Sequence, residues 1–359
     1  MMGILARYLC KEFFRLLMLC LIIFVSIYLI IDFLQKIDNF IEAQAPNSAM
    51  LSYFLYKVPY ITVQMVPVAA LIAVIVMFSF MKKNNEITAL KCSGMSVFEL
   101  SLPVLSASIA LAVAVFLVSE LVVPYTSSKS ETVWNREVKK RDQGRFYGRD
   151  HIWYRGGNSI YWIRHFDGRE MVMEAPAFYF FDDSFRLVRR IQARRAVWAG
   201  DRWRVEEGII QAAGAGGVYD LNRFKEINLM LPEGPEAFLK PVKRPEEMSY
   251  WQLKRFTELI RLEGYDATRY RVDMNIKLAF PLISFIMVLV GIPIVLGLKR
   301  GGTPLAVSFG IGTCFLYLVN LGLARSLGLS GVLPADFSAW LANLIFLLLG
   351  IYLMMHLET

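Results

Sequence analysis

The sequence predicts a membrane α-helical bundle of six spans, three on either side of an inserted extracytoplasmic β-jellyroll domain. Three observations carry this prediction. Of the 359 residues, 56% are hydrophobic and the mean hydropathy is +0.44, more apolar residue than a water-soluble chain of this length can bury. The apolar residues gather into runs of about 20, the length that crosses a bilayer as a helix. One long stretch between the third and fourth runs has a different character, with short aromatic and β-branched segments separated by turns.

The first span is predicted at 13–34 (FFRLLMLCLIIFVSIYLIIDFL), followed by a polar segment at 35–48. It is too long for a cleavable signal peptide, and no small-residue cleavage site follows it. The second span is predicted at 58–80, with Pro59 and Pro67 inside or at its edge; neighbouring helices can satisfy the carbonyls that a proline frees. The third is predicted at 100–123, the fourth at 278–298, the fifth at 305–327 and the sixth at 337–356. The domain plan is therefore 1–124 with a cytoplasmic loop at 81–99, a β domain at 125–244, a helical connector at 245–277, and the last three spans at 278–359.

Strands are expected around 152–154, 159–163, 177–181, 186–197 and 202–205, at spacings that suit a sandwich or jelly roll. Arg189, Arg190, Arg194 and Arg195 make one strand basic, which fits a solvated face. In the connector, Ser249 is a natural N-cap for an amphipathic helix over 250–262, with Gly264 just past its end.

Orientation follows from the short loops. Arg7, Lys11 and Arg15 precede or open the first span, Lys82, Lys83 and Lys91 lie between the second and third, and Lys299 and Arg300 between the fourth and fifth. The loop at 328–336 has no Lys or Arg. The positive-inside rule then puts both termini in the cytoplasm and the β domain outside. The net charge of +8 belongs to these flanks and to anionic lipid, not to a nucleic-acid partner.

Catalytic signatures are missing. There is no Walker A loop, no H-E-x-x-H, no G-x-S-x-G and no cysteine pair with zinc spacing. Cys10, Cys20, Cys92 and Cys314 offer no disulfide framework for the β domain. His151, His165 and His356 suit no catalytic set, and Asp32 and Glu120 lie near span ends, unlike a mid-membrane proton relay.

Several stretches carry a family resemblance. Arg7-Tyr8 stands before the first span; the cytoplasmic loop reads NEITALKCSGM from Asn85 to Met95; the strand pair reads IWYRGGNSIY from Ile152; and GYDATRY runs from Gly264 to Tyr270. With the three–β–three layout, the whole chain resembles the lipopolysaccharide export permease family, LptF and LptG. The last two stretches look more like LptG. The resemblance implies a permease subunit of an ABC transporter in a bacterial inner membrane. It implies an LptF-like partner, a separate LptB-like ATPase dimer that binds the ATP and Mg, and no cofactor in this chain. It also implies LptC, an LptA-like periplasmic bridge, and lipopolysaccharide as cargo.

Residue roles follow from the resemblance. Glu86 matches the acidic residue of the coupling helix that pairs with a basic residue of the ATPase, with Ala89 and Leu90 packing and Gly94 ending the helix. The same loop also reads as an ordinary polar hairpin closure. Lys36 and Lys57, at the outer ends of the first two spans, suit lipid A phosphates, although Asp32 and Asp38 stand where basic residues are expected; the lysines equally read as snorkelling anchors. Phe33, Ile37, Phe40, Met65, Phe315, Leu316 and Val319 are candidates to meet acyl chains, or to pack in the bundle. Gly310, Gly312 and Gly322 allow close helix approach in the fifth span. Trp153, Tyr161, Trp162, Phe178 and Phe180 read either as an acyl groove or as β-domain core. The competing functions are an envelope receptor or assembly scaffold anchored by six helices, and a membrane enzyme acting on a lipid headgroup. The second lacks a convincing set of reactive groups.

Overall fold

The computed structural model describes residues 2–139, 148–156, 158–168, 170–213, 219–235, 244–262, 266–298 and 302–357. Lys299, Arg300 and Gly264 lie outside the described residues. Two compact units form: Met1–Val133 with Arg244–Leu259 and Asp266–Thr359, and Trp134–Lys243 with Ile260–Tyr265.

The first unit is helical. Its elements are α1 (Met2–Glu42), α2 (Asn47–Lys83), α3 (Glu86–Cys92), α4 (Val97–Leu121), α5 (Val123–Val133), α6 (Tyr250–Leu262), α7 (Thr268–Ala279), α8 (Leu282–Gly297), α9 (Gly302–Leu329) and α10 (Ala335–His356). Five of them are long and apolar enough to cross a membrane, and the bent pair α7–α8 makes the sixth crossing when taken as one span. α1 and α2 overrun their predicted ends because nothing in the flanks stops a helix: Lys11, Glu12 and Lys36 are good helix formers, and α1 contains no proline. At 1.5 Å per residue α1 is about 60 Å long, roughly twice the bilayer's hydrocarbon core.

α2 is the central helix. In its most apolar stretch 72% of residues are buried, against 17% in α1 and 22% in α9. It packs on α1, α4, α8 and α9. The close contact with α8 depends on Gly291, where an added Cβ would lie 2.7 Å from both Leu71 Cδ1 and Val74 Cγ1. Two buried serines of α4 bond back to their own helix: Ser101 and Ser108 donate to Val97 O and Leu105 O, each at 2.7 Å.

The chain bends by 53° between α7 and α8, at the start of the predicted fourth span. Pro281 has no N–H to continue the ladder. Beyond it, Ile283 N and Ser284 N turn to the carbonyls of Phe280 and Pro281, three residues back. Ile283 therefore does not take the Ala279 carbonyl, and Asn343 of α10 donates to that oxygen at 2.8 Å. Asn343 also accepts from the Tyr317 hydroxyl at 2.6 Å. A buried amide thus completes the break and ties α9 and α10 to it.

The second unit contains one antiparallel seven-stranded sheet: β1 (Gly148–Arg155), β2 (Ser159–Asp167), β3 (Val172–Glu174), β4 (Ala177–Phe181), β5 (Leu187–Trp198), β6 (Trp203–Ala213) and β7 (Tyr219–Leu229). The expected inserted β domain is present, with its strands in meander order. β3 and β4 share the position between β2 and β5. Ser159, Tyr161 and Ile163 alternate inward along β2. Tyr161 and Ile163 join Phe166, Phe178, Ile191, Trp203 and Val205 in one core. Tyr161 and Phe178 are therefore core, while Trp153 is 57% exposed. Arg189, Arg194 and Arg195 of β5 are exposed, and Arg190 is half-buried; Arg194 pairs with Glu207 at 3.0 Å and Arg195 with Glu170 at 3.2 Å.

Candidate functional site

The α3 loop is held at both ends. Asn85 enters it with φ 59°, and Gly94 leaves it with φ 89°, a conformation that only glycine adopts freely. Gly94 N and Met95 N close the helix on the carbonyls of Lys91 and Leu90, at 3.0 and 3.3 Å. Ser96 and Glu99 then cap α4 reciprocally, at 3.0 and 3.1 Å. On the other side Lys82 donates to Leu298 O at the end of α8, where a helix terminus favours a cation.

Glu86 opens α3 and is half-buried. Its carboxylate accepts from the Tyr8 hydroxyl at 3.4 Å and from Asn84 Nδ2 at 3.3 Å. Ile87 is the residue that anchors the helix, at 6% exposure. Leu90 packs half-buried on the same bundle core, and Ala89 is exposed.

Lys36 and Lys57 come together at the opposite end of α1 and α2. Asp32 lies between them, 3.0 Å from Lys36 Nζ and 2.7 Å from Lys57 Nζ. Tyr53 completes the group: its hydroxyl accepts from Lys36 and, at 3.4 Å, from Lys57. Its ring lies 4.9 Å from the Lys36 ammonium, an attractive cation–π arrangement. The cluster carries two cations against one carboxylate. Asp32–Lys36 and Tyr53–Lys57 are both i, i+4 pairs, a spacing that could have revealed it.

The apolar candidates divide. Phe40 is 3% exposed and packs on Tyr53 and Phe54. Phe33 packs on Phe54 at 5.5 Å, and Ile37 and Met65 are half-buried. Phe315, Leu316 and Val319 are 65%, 57% and 41% exposed on α9. α1 and α9 share no substantial contact among the described residues, so this chain alone does not bring the two groups into one wall. Gly310 faces Ile75 and Ile72 of α2, whereas Gly312 and Gly322 face open space. Among the described residues no group of three His, Cys, Asp or Glu could hold a metal ion.

The profile of the family described as "Lipopolysaccharide export system permease LptF/LptG" matches residues 7–356. The chain belongs to the LptF/LptG family. Among its relatives, the lipopolysaccharide export system permease protein LptG of Escherichia coli K12 is 23% identical over 367 residues, covering 99% of this chain and 98% of the relative. The protein of the same name from Haemophilus influenzae is 22% identical over 294 residues, covering 79% of each. For an LptF/LptG chain the fold makes physical sense: a multi-pass bundle with a β domain inserted between its third and fourth crossings.

Sequence reasoning passed over Tyr8, Asp32 as a hub, Tyr53, Ile87 and Asn343. Ile87 follows a plain rule: a short helix on a bundle buries one apolar residue. Asn343 had no local signal, because its partner is 64 residues away.

Proposed function

We propose that this chain is one permease half of an ATP-driven lipopolysaccharide extractor in a bacterial inner membrane. Both termini and the α3 loop face the cytoplasm, and the β domain faces the periplasm. An LptF-like chain completes the cavity, with the open faces of α1 and α9 as its seams. An LptB-like ATPase dimer binds ATP and Mg and docks on α3. LptC and an LptA-like bridge take the lipid onward.

The observation that carries this reading is the α3 loop. Glu86 is a carboxylate presented at the start of a short helix that lies between α2, whose last turn reaches the end of α8 through Lys82, and α4, whose first turn is fixed by its own capping box. The loop is thus placed between two spans with defined ends, where a docked ATPase would push on both. The Asp32–Lys36–Lys57 cluster supports the cargo assignment: its net charge of one positive, from two lysines and one aspartate, suits a phosphate at headgroup level.

The test is Glu86→Arg in the purified complex. The expected result is loss of lipopolysaccharide-linked ATPase activity with all subunits still co-purifying. Normal activity in that variant would sink the coupling assignment.

A further inference from the structure

A second polar site lies in the helical unit, apart from the lysine cluster. A cavity of about 280 Å³ opens among α2, α4, α7, α9 and the 3₁₀ turn Pro245–Glu247. Its depth in the bilayer follows from its walls. Glu120 is the penultimate residue of α4, and Arg325 lies in the last turns of α9, so the cavity sits where helices end and headgroups lie.

Its charges differ in kind from those of the lysine cluster. The wall holds three carboxylates (Glu120, Glu246 and Asp273) and two cations, Lys277 and Arg325, a net charge of one negative. Some of these groups are already engaged. Asp273 pairs with Arg325 at 2.7 Å, Glu120 accepts from Tyr250 N at 2.7 Å, and Lys277 donates to Met248 O at 2.7 Å. Lys277 has three N–H donors and spends one there. Glu246 is exposed and makes no hydrogen bond or ion pair among the described residues. The remaining wall is mostly apolar, with Phe116, Phe280 and Leu321 beside the polar Gln64 and Ser119.

A purely anionic headgroup is repelled by the excess of carboxylates, and a simple cation leaves the two spare N–H donors of Lys277 unmatched. A headgroup with one phosphate and one ammonium answers both signs, and its acyl end answers the apolar wall. We propose that this cavity binds one zwitterionic phospholipid, with its phosphate on Lys277 and Arg325 and its ammonium on Glu246. The lipid is a resident of the fold and not the exported cargo, so the inference stands apart from the coupling role of Glu86.

The experiment is native mass spectrometry of the assembled complex in detergent, titrated with phosphatidylethanolamine or phosphatidylglycerol. The wild type should retain one phosphatidylethanolamine with roughly tenfold preference over phosphatidylglycerol, about 1.4 kcal/mol. Glu246→Lys changes an exposed side chain and reverses the wall's sign, so the preference should invert. Glu246→Gln should abolish the preference, and Lys36→Glu, outside the cavity, should leave it intact. Equal retention of both lipids by the wild type, or a preference unmoved by Glu246→Lys, would overturn the proposal. Loss of preference in Lys36→Glu would overturn it too, by placing the lipid at the lysine cluster.

Discussion

Asp32 sits 7% exposed between two lysines, and that placement sets how the cluster works. A lone lysine at this depth is costly to desolvate, and two side by side repel. The carboxylate lets both ammonium groups share one small space. A phosphate arriving there competes with Asp32 for them. Lys36→Glu puts two carboxylates against one lysine. It should weaken binding of a phosphorylated lipid at least roughly tenfold, or about 1.4 kcal/mol, read by lipid titration of the purified complex; unchanged affinity removes the cluster from the binding site. In the β domain, Tyr161 makes a different residue-scale prediction. Burial pushes its hydroxyl well above the ordinary value of 10.0, and its hydrogen bond to Glu233 adds to the rise. A raised folded pKa means stability that is complete below pH 10 and lost as the pH climbs toward the folded value. Alkaline titration followed by circular dichroism should therefore destabilise the wild type more steeply above about pH 10 than Tyr161→Phe, with no difference in slope at neutral pH.

Individual elements show where sequence patterns were sufficient. The five long spans were legible because each is a continuous apolar run, and runs need no partner to be recognised. The Ser249 cap was legible for a similar reason: Ser249 and Gln252 hold each other at 3.1 and 3.2 Å, three residues apart. The bend before α8 was not legible. Pro281 signals a break, but the freed carbonyl of Ala279 is satisfied by a distant amide, Asn343, which donates to it. The candidate site was legible in part. Glu86 was named through the family resemblance and the two lysines through their place at the outer ends of the first two spans, while Phe40, which the sequence leaves as an acyl contact or a packing residue, packs on Tyr53 and Phe54 because α2 returns directly over it. Glycines sort the helix faces in a way that can be tested. Gly291→Val drives a methyl into Leu71 and Val74, and overpacking of this kind costs about 1–3 kcal/mol. At Gly312 an added Cβ meets nothing within 4 Å in this chain. Thermal melts of the isolated chain should therefore fall for Gly291→Val and hold for Gly312→Val.

At the scale of the whole molecule, burial is unevenly shared. α2 is enclosed by its neighbours, whereas α1 and α9 leave most of their apolar surface outside the chain. Lipid can cover such faces, and so can a second subunit, which is why the sequence could name the apolar residues of α1 and α9 without saying what meets them. The proposed half-transporter assigns those faces to the partner and the cargo, and the α3 loop to the motor. That account is tested most directly by ATP-driven transfer of lipopolysaccharide from proteoliposomes to a soluble periplasmic acceptor, with this chain wild type or carrying Glu86→Arg. The predicted result is transfer by the wild-type complex and lipid binding without transfer by the variant. Transfer at the wild-type rate by Glu86→Arg, or by liposomes lacking this chain, would contradict it.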